Sequence, residues 1–204
     1  APAERNRRTV RNHLLQSLAL PDQAPWLTSN ISLERSHRPY TFMAELILKP
    51  GKERSVMRRH PWIFAGSVET LKGRAKSGDT VEVLSADGKA HVREAVSPES
   101  QIRARLGSFD AQESIDHAFF KRRVAQSVVR RQSHPHLRAQ EGVRLIHGES
   151  DGLPGVIADQ YGKVVVVQLT SAGAEKWREA IISGLVQATG CACVFERSDS
   201  EVRG

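Results

Sequence analysis

Between residues 79 and 106 apolar and polar side chains alternate with a period of two, and turn residues interrupt the pattern at short intervals. Val81 and Val83 share one side of a strand over 79–84, Asp87-Gly88 supplies a hairpin turn, and 90–95 returns. Over 101–106, Ile102, Ala104 and Leu106 face one way while Arg103 and Arg105 face the other. A further strand over 46–48 precedes the Pro50-Gly51 turn. Several short strands at this spacing predict a small β-barrel over roughly 43–110.

Inside that region lies residues 52–68, KERSVMRRHPWIFAGSV. A short helix opening after Gly51 puts Arg54 and Arg58 on one face, with Lys52, Ser55 and Arg59 along the neighbouring stripe. His60 precedes a proline, which pushes it out of the α region, so the helix is predicted to stop near Arg59. The chain then extends through 62–64 with Trp62 and Phe64 on one side. A basic helix tip beside aromatic rings can hold phosphates and stack on an unpaired base. The same residues also admit a structural reading, in which the cations are a solvated helix face and the Trp-x-Phe pair is core.

Beyond the strands, Ser114 is placed to cap a helix running to about Arg131, with Asp116 complementing its positive end. Ile115, Phe119, Phe120, Val124 and Val128 form its apolar stripe, and Arg122, Arg123, Arg130 and Arg131 ride outside. A second unit follows from about 142: a strand over 143–147, a turn-rich loop over 148–155, and a strand over 156–158. The apolar run 164–169 fits a central strand. A helix begins near Ala172 with Trp177, Ile181, Leu185 and Ala188 on its packing side, and Gly190 stands where helices stop in the left-handed conformation. A last strand covers 191–195.

The loop GESDGLPG, 148–155, has three glycines and two acids but no Gly-Lys-Ser/Thr ending, so it is not a P-loop. A strand rather than a helix follows it, unlike a dinucleotide-binding turn. His147-x-Glu149 lacks the downstream Pro-Cys-x-x-Cys of zinc deaminases. The reading is a tight loop that needs glycines for positive φ. Cys191 and Cys193 are too few for a disulfide framework or closed zinc site, and His134-x-His136 is a poor metal site. The two cysteines are predicted to be small apolar residues of a buried strand in a reduced protein.

Charge divides the chain. Residues 1–42, 43–110 and 111–141 each carry an excess of +3, and 142–204 carry −2, giving +7 in all. A basic front half suits a polyanion partner. No apolar run approaches the roughly 20 residues a membrane span needs, and no signal peptide is expected, since residues 1–42 hold no apolar h-region. The first methionine is Met43, so 1–42 is expected to be a disordered or non-native extension, with an RNA-embracing basic arm as the alternative.

Five stretches carry a resemblance: RRHPWIFAGSV (58–68), SPESQIRAR (97–105), GESDGLPGVIADQYG (148–162), VVVVQLTSAGAEKW (164–177) and FERSDSEVRG (195–204). They resemble the ribosomal RNA large subunit methyltransferase I family, and the resemblance extends over about 43–204, with a departure at Leu106-Gly107, where bulkier residues are usual. The resemblance implies a PUA domain and then a small α/β linker domain, in an enzyme that uses S-adenosylmethionine to methylate cytosine C5 of large-subunit rRNA. It also implies that the Rossmann-like catalytic domain and its cysteine nucleophile lie beyond Gly204. That thiolate must add to C6 of the pyrimidine, a role not assigned to Cys191 or Cys193.

The expected fold class is therefore α+β: a PUA-like barrel (43–110), a connecting helix and loop (111–141) and an α/β domain (142–204), without a Rossmann-like catalytic domain in this chain. No cofactor is expected to bind this stretch, S-adenosylmethionine being implied for the full-length protein. The expected partner is ribosomal RNA, with no membrane, a cytoplasmic location, and a homodimer as an option for the full-length protein. Arg58, Arg59, His60, Trp62, Arg103 and Arg105 form the expected RNA-binding surface: arginines for phosphates, Trp62 for stacking or, alternatively, buried under the helix. No catalytic or metal-binding residue is assigned. Two other classes stay open: a freestanding PUA-type RNA-binding or assembly module, and a protein-interaction domain that binds an acidic partner.

Overall fold

The computed structural model describes residues 43–110 and 112–197. The expectations for 1–42 and for the end of FERSDSEVRG lie outside them.

The first sheet follows the alternation closely. β1 (Glu45–Leu48), β2 (Trp62–Phe64), β3 (Val68–Lys72), β4 (Thr80–Leu84), β5 (Ala90–Val96) and β6 (Ile102–Ser108) form one sheet in the order β2-β6-β5-β4-β1-β3. All neighbours are antiparallel except β1 and β4. Leu46, Leu48, Ile63, Val81, Val83, Val92, Val96 and Ala104 point to one side and share a core with Val56. Period-two patterning with a single buried face drives this arrangement. The expected barrel is here a curled half-barrel that ends on β2 and β3. β2 has three residues and a bulge between Ile63 and Phe64, and it pairs only with β6. β3 was not anticipated: its VETLK sequence buries no residue fully, so the alternation signal is missing there.

Between β1 and β2 runs α1 (Glu53–Met57), shorter than expected. It ends by pairing Arg59 N–H with the Val56 carbonyl (2.8 Å) and His60 N–H with the Ser55 carbonyl (3.0 Å). That double bond pattern closes a helix when the residue after the cap is left-handed. Here Arg59 takes the position, with φ of 59°, where glycine would be unstrained.

The second sheet comprises β7 (Gly142–His147), β8 (Val156–Tyr161), β9 (Val164–Leu169) and β10 (Cys193–Glu196), in the order β10-β9-β8-β7. α2 (His117–Gln132) and α4 (Arg178–Thr189) pack on each other and close one face of this sheet. The α2 stripe Phe119, Phe120, Val124 and Val128 is buried with Leu145, Val165, Val167, Ile181 and Leu185, so the stretch expected to connect two units supplies much of the second core. α2 is capped by Asp116, whose Oδ1 accepts from the Phe119 amide (2.8 Å), and not by Ser114. The expected helix from Ala172 is split at Trp177 into α3 (Ala172–Lys176) and α4, and Gly190 ends it in the left-handed conformation as expected. β10 is an edge strand with Cys193 and Phe195 exposed, which corrects the expectation of a buried strand.

The two sheets meet where small residues allow it. A Cβ at Gly173 would stand 2.5 Å from the Ala95 side chain. Lys176 Nζ bridges to Asp79 Oδ1 at 2.6 Å beside this contact.

Candidate nucleic-acid interface

Antiparallel pairing of β2 with β6 sets Trp62 directly opposite Arg105. Ile63 points into the half-barrel core, so Trp62 is turned to the outer face. There its indole meets His60 and Phe64, with all three ring centroids 6.1 to 6.2 Å apart. His60 Nδ1 accepts from the Trp62 amide at 3.2 Å, fixing the imidazole just after the left-handed turn. Phe64 is 46% exposed, so the ring cluster is open to solvent on that flank.

The Arg105 guanidinium lies over the Trp62 ring, 5.6 Å from its centroid. Both reach the same oxygen of a third residue: Trp62 Nε1 donates to Glu149 Oε1 at 2.7 Å, and Arg105 Nη1 donates to it at 3.4 Å. Glu149 comes from a one-turn helix, Gly148–Asp151, that follows β7 and that Gly152 closes with φ of 68°. The loop is further held by Asp151 Oδ2, which accepts from the His147 amide at 2.7 Å. Trp62 therefore belongs to neither of the two predicted extremes. It is half-buried, anchored by its nitrogen, and still lines two recesses.

The structure thus brings His60, Trp62 and Arg105 together. Alternation puts Arg103 on the Arg105 side of β6, half-buried and with no carboxylate partner among the described residues. Arg58 is exposed at the end of α1, and likewise has no carboxylate partner among them. The Arg59 guanidinium lies 5.5 Å from the centre of the Phe109 ring. Glu149 is the participant that reading the sequence missed. It stands 87 positions from Trp62, and GESDGLPG reads locally as a turn, so only the fold reveals the contact.

Residues 46–109, the half-barrel, match the model of a PUA-like domain. Ribosomal RNA large subunit methyltransferase I of Klebsiella pneumoniae is 48% identical over 158 residues, 78% of this chain and 40% of that protein. The protein of the same name from Shewanella frigidimarina is 49% identical over 158 residues, covering 76% and 40%. The chain thus spans about two-fifths of the length of the curated relatives it matches. Among solved structures, a candidate SAM-dependent methyltransferase from Streptococcus mutans superposes with a TM-score of 0.67 at 17% identity, covering 78% of this chain and 42% of that one. A candidate methyltransferase complexed with SAH gives the same TM-score, covering 41% of that chain. The structural matches establish a shared fold, and over the portion it spans this chain is similar to ribosomal RNA large subunit methyltransferase I and carries a PUA-like domain.

Proposed function

We propose that this chain is the RNA-holding portion of a S-adenosylmethionine-dependent enzyme that methylates cytosine C5 in 23S rRNA. The observation that carries the reading is the outer face of β2 and β6. There a solvent-open cluster of His60, Trp62 and Phe64 sits against Arg105, and Arg103, without a carboxylate partner among the described residues, is on the same side. Rings offer faces for unpaired bases, and unpaired guanidiniums offer charge to phosphates. Arg58 and Arg59 extend that charge along the turn into β2.

The methyl donor belongs to another part of the enzyme in this reading. A donor cradle needs a glycine-rich turn that opens a helix, so that backbone amides face the ligand. The GESDGLPG loop does not fit: it leads into β8, and its Gly152 and Leu153 amides are used on the Glu149 and Gly148 carbonyls. No chemical step is therefore assigned to these residues.

The test is to titrate the 204-residue polypeptide with a 23S rRNA fragment across a salt series, then assay it with labelled donor. The expected outcome is binding that weakens with salt, at roughly 0.7 to 0.9 units of log–log slope per phosphate contacted, and no methyl transfer. Salt-insensitive or absent binding would overturn the RNA role, and donor-dependent methylation would overturn the division of labour.

A further inference from the structure

Trp62 is the shared wall of two adjacent recesses. One, of about 240 Å3, is lined by Lys52, Ser55, His60 and Phe64. The other, of about 200 Å3, lies where the half-barrel meets the second sheet, between Trp62, Arg105, His147, Glu149, Ile157 and Thr170. The second has an uncommon feature for a surface meant for RNA, a carboxylate. Glu149 uses only Oε1 for its two protein partners. Its Oε2 makes no hydrogen bond among the described residues and is not buried, with the side chain 24% exposed.

A carboxylate facing a polyanion is repelled by phosphates, which favours a ligand that brings its own donors to that oxygen. An ionised carboxylate can only accept, so the edge it meets must carry N–H groups. The 4-amino group of cytosine meets that condition, while the 4-oxo group of uracil turns an acceptor toward the same place. Arg105, stacked on Trp62 and bonded to Oε1, keeps the carboxylate aimed. The apolar walls from Trp62 and Ile157 supply surface for a ring.

We propose that the recess between Trp62 and Glu149 is a nucleobase subsite that selects an unpaired base presenting an amino group, with Glu149 Oε2 as the accepting atom. This inference rests on the RNA-holding role above, and adds base selectivity to it. Glu149 is here a specificity residue, and Arg105 its positioning residue.

The experiment compares short oligocytidine and oligouridine strands of one length, which differ at the 4-amino and 4-oxo edge, by fluorescence anisotropy with the 204-residue chain. A carboxylate reading a cytosine amino group predicts about tenfold tighter binding of oligocytidine. Glu149→Gln keeps an oxygen for Trp62 Nε1 and replaces the open oxygen with an N–H2 donor, so the preference should vanish or invert toward oligouridine. Equal affinity for the two strands in the unaltered protein, which needs no variant, would overturn the subsite while leaving the RNA-holding role intact. A cytosine preference that survives in Glu149→Gln would also overturn it. Failure to bind either strand, or a 23S fragment, would remove both readings together.

Discussion

The half-barrel and the second unit handle charge in opposite ways. In the second unit six arginines are paired within it: Arg131 and Arg130 bracket Asp151 at 2.5 and 3.1 Å, Arg122 and Arg123 share Glu113, Arg144 takes Asp159, and Arg178 takes Glu196. In the half-barrel only Arg105 forms an ion pair through its cation among the described residues, and that pair reaches across to Glu149. Buried acids repeat the contrast. Asp151 has a fully buried side chain between two guanidiniums, whereas Glu94 is fully buried in β5 and neither oxygen has a partner among the described residues. Paired charges fix a fold, and cations left without internal partners are available to an external anion.

Removing Asp151 should give the largest effect. Burial by itself would raise its pKa, but the Arg131 hydrogen bonds and the His147 amide outweigh burial and hold it below 3.8. Asp151→Ala leaves Arg131, whose side chain is only 16% exposed, without its partner. The expected loss is about 3–5 kcal/mol of unfolding free energy by denaturant titration. Because the folded-state pKa is depressed, this stabilisation is present above the ordinary aspartate value and lost as pH falls through the folded one.

Glu94 should respond with the opposite sign. Burial pushes its pKa well above 4.5, so the folded state keeps a proton that the unfolded state releases. Stability attributable to this group falls as pH rises from the ordinary glutamate value toward the raised one, by at most about 1.4 kcal/mol per pH unit. Glu94→Gln should remove that slope in pH-dependent denaturation. An unchanged slope would mean the contrast between the two buried acids is wrong.

Substitutions at three positions, with smaller effects, sharpen the comparison on the surface. Trp62→Ala should lower RNA affinity by about tenfold through lost stacking, while Trp62→Phe should keep most of that affinity and lose the Glu149 bond. Arg59→Gly relieves a left-handed arginine, so thermal unfolding should show a gain of up to about 1 kcal/mol. The same change should weaken RNA binding, since a cation is lost. Lys176→Met removes an exposed pair with Asp79 and should cost under about 1 kcal/mol. A larger cost there would show that the two sheets depend on that bridge more than on the Gly173–Ala95 contact.

Much of this was legible locally. The period-two runs located β4, β5 and β6 to within a residue or two, and Gly190 marked the end of α4, because these signals depend on neighbours in sequence. β3 was invisible, since its two partly buried residues, Val68 and Leu71, are three positions apart and break the period-two signal. The cap of α2 fell on Asp116 because its carboxylate, two residues beyond Ser114, reaches the Phe119 amide. The aromatic and basic residues of the candidate site were readable as a cluster around the His60-Pro61 break. Their anchor was not: Glu149 joins them only once β7 and its following turn are packed beside β2. Closure of the barrel was over-read, because counting strands does not say whether the two outer strands pair.

The most direct measurement is the salt dependence of RNA binding for two double variants. Arg58→Gln with Arg103→Gln removes cations without carboxylate partners among the described residues, and Arg122→Gln with Arg178→Gln removes cations held by Glu113 and Glu196. The first pair should lower the log–log salt slope by about two phosphate contacts, and the second should leave it unchanged. Equal losses from both pairs, or none from the first, would contradict the assignment of the RNA-holding surface to the half-barrel.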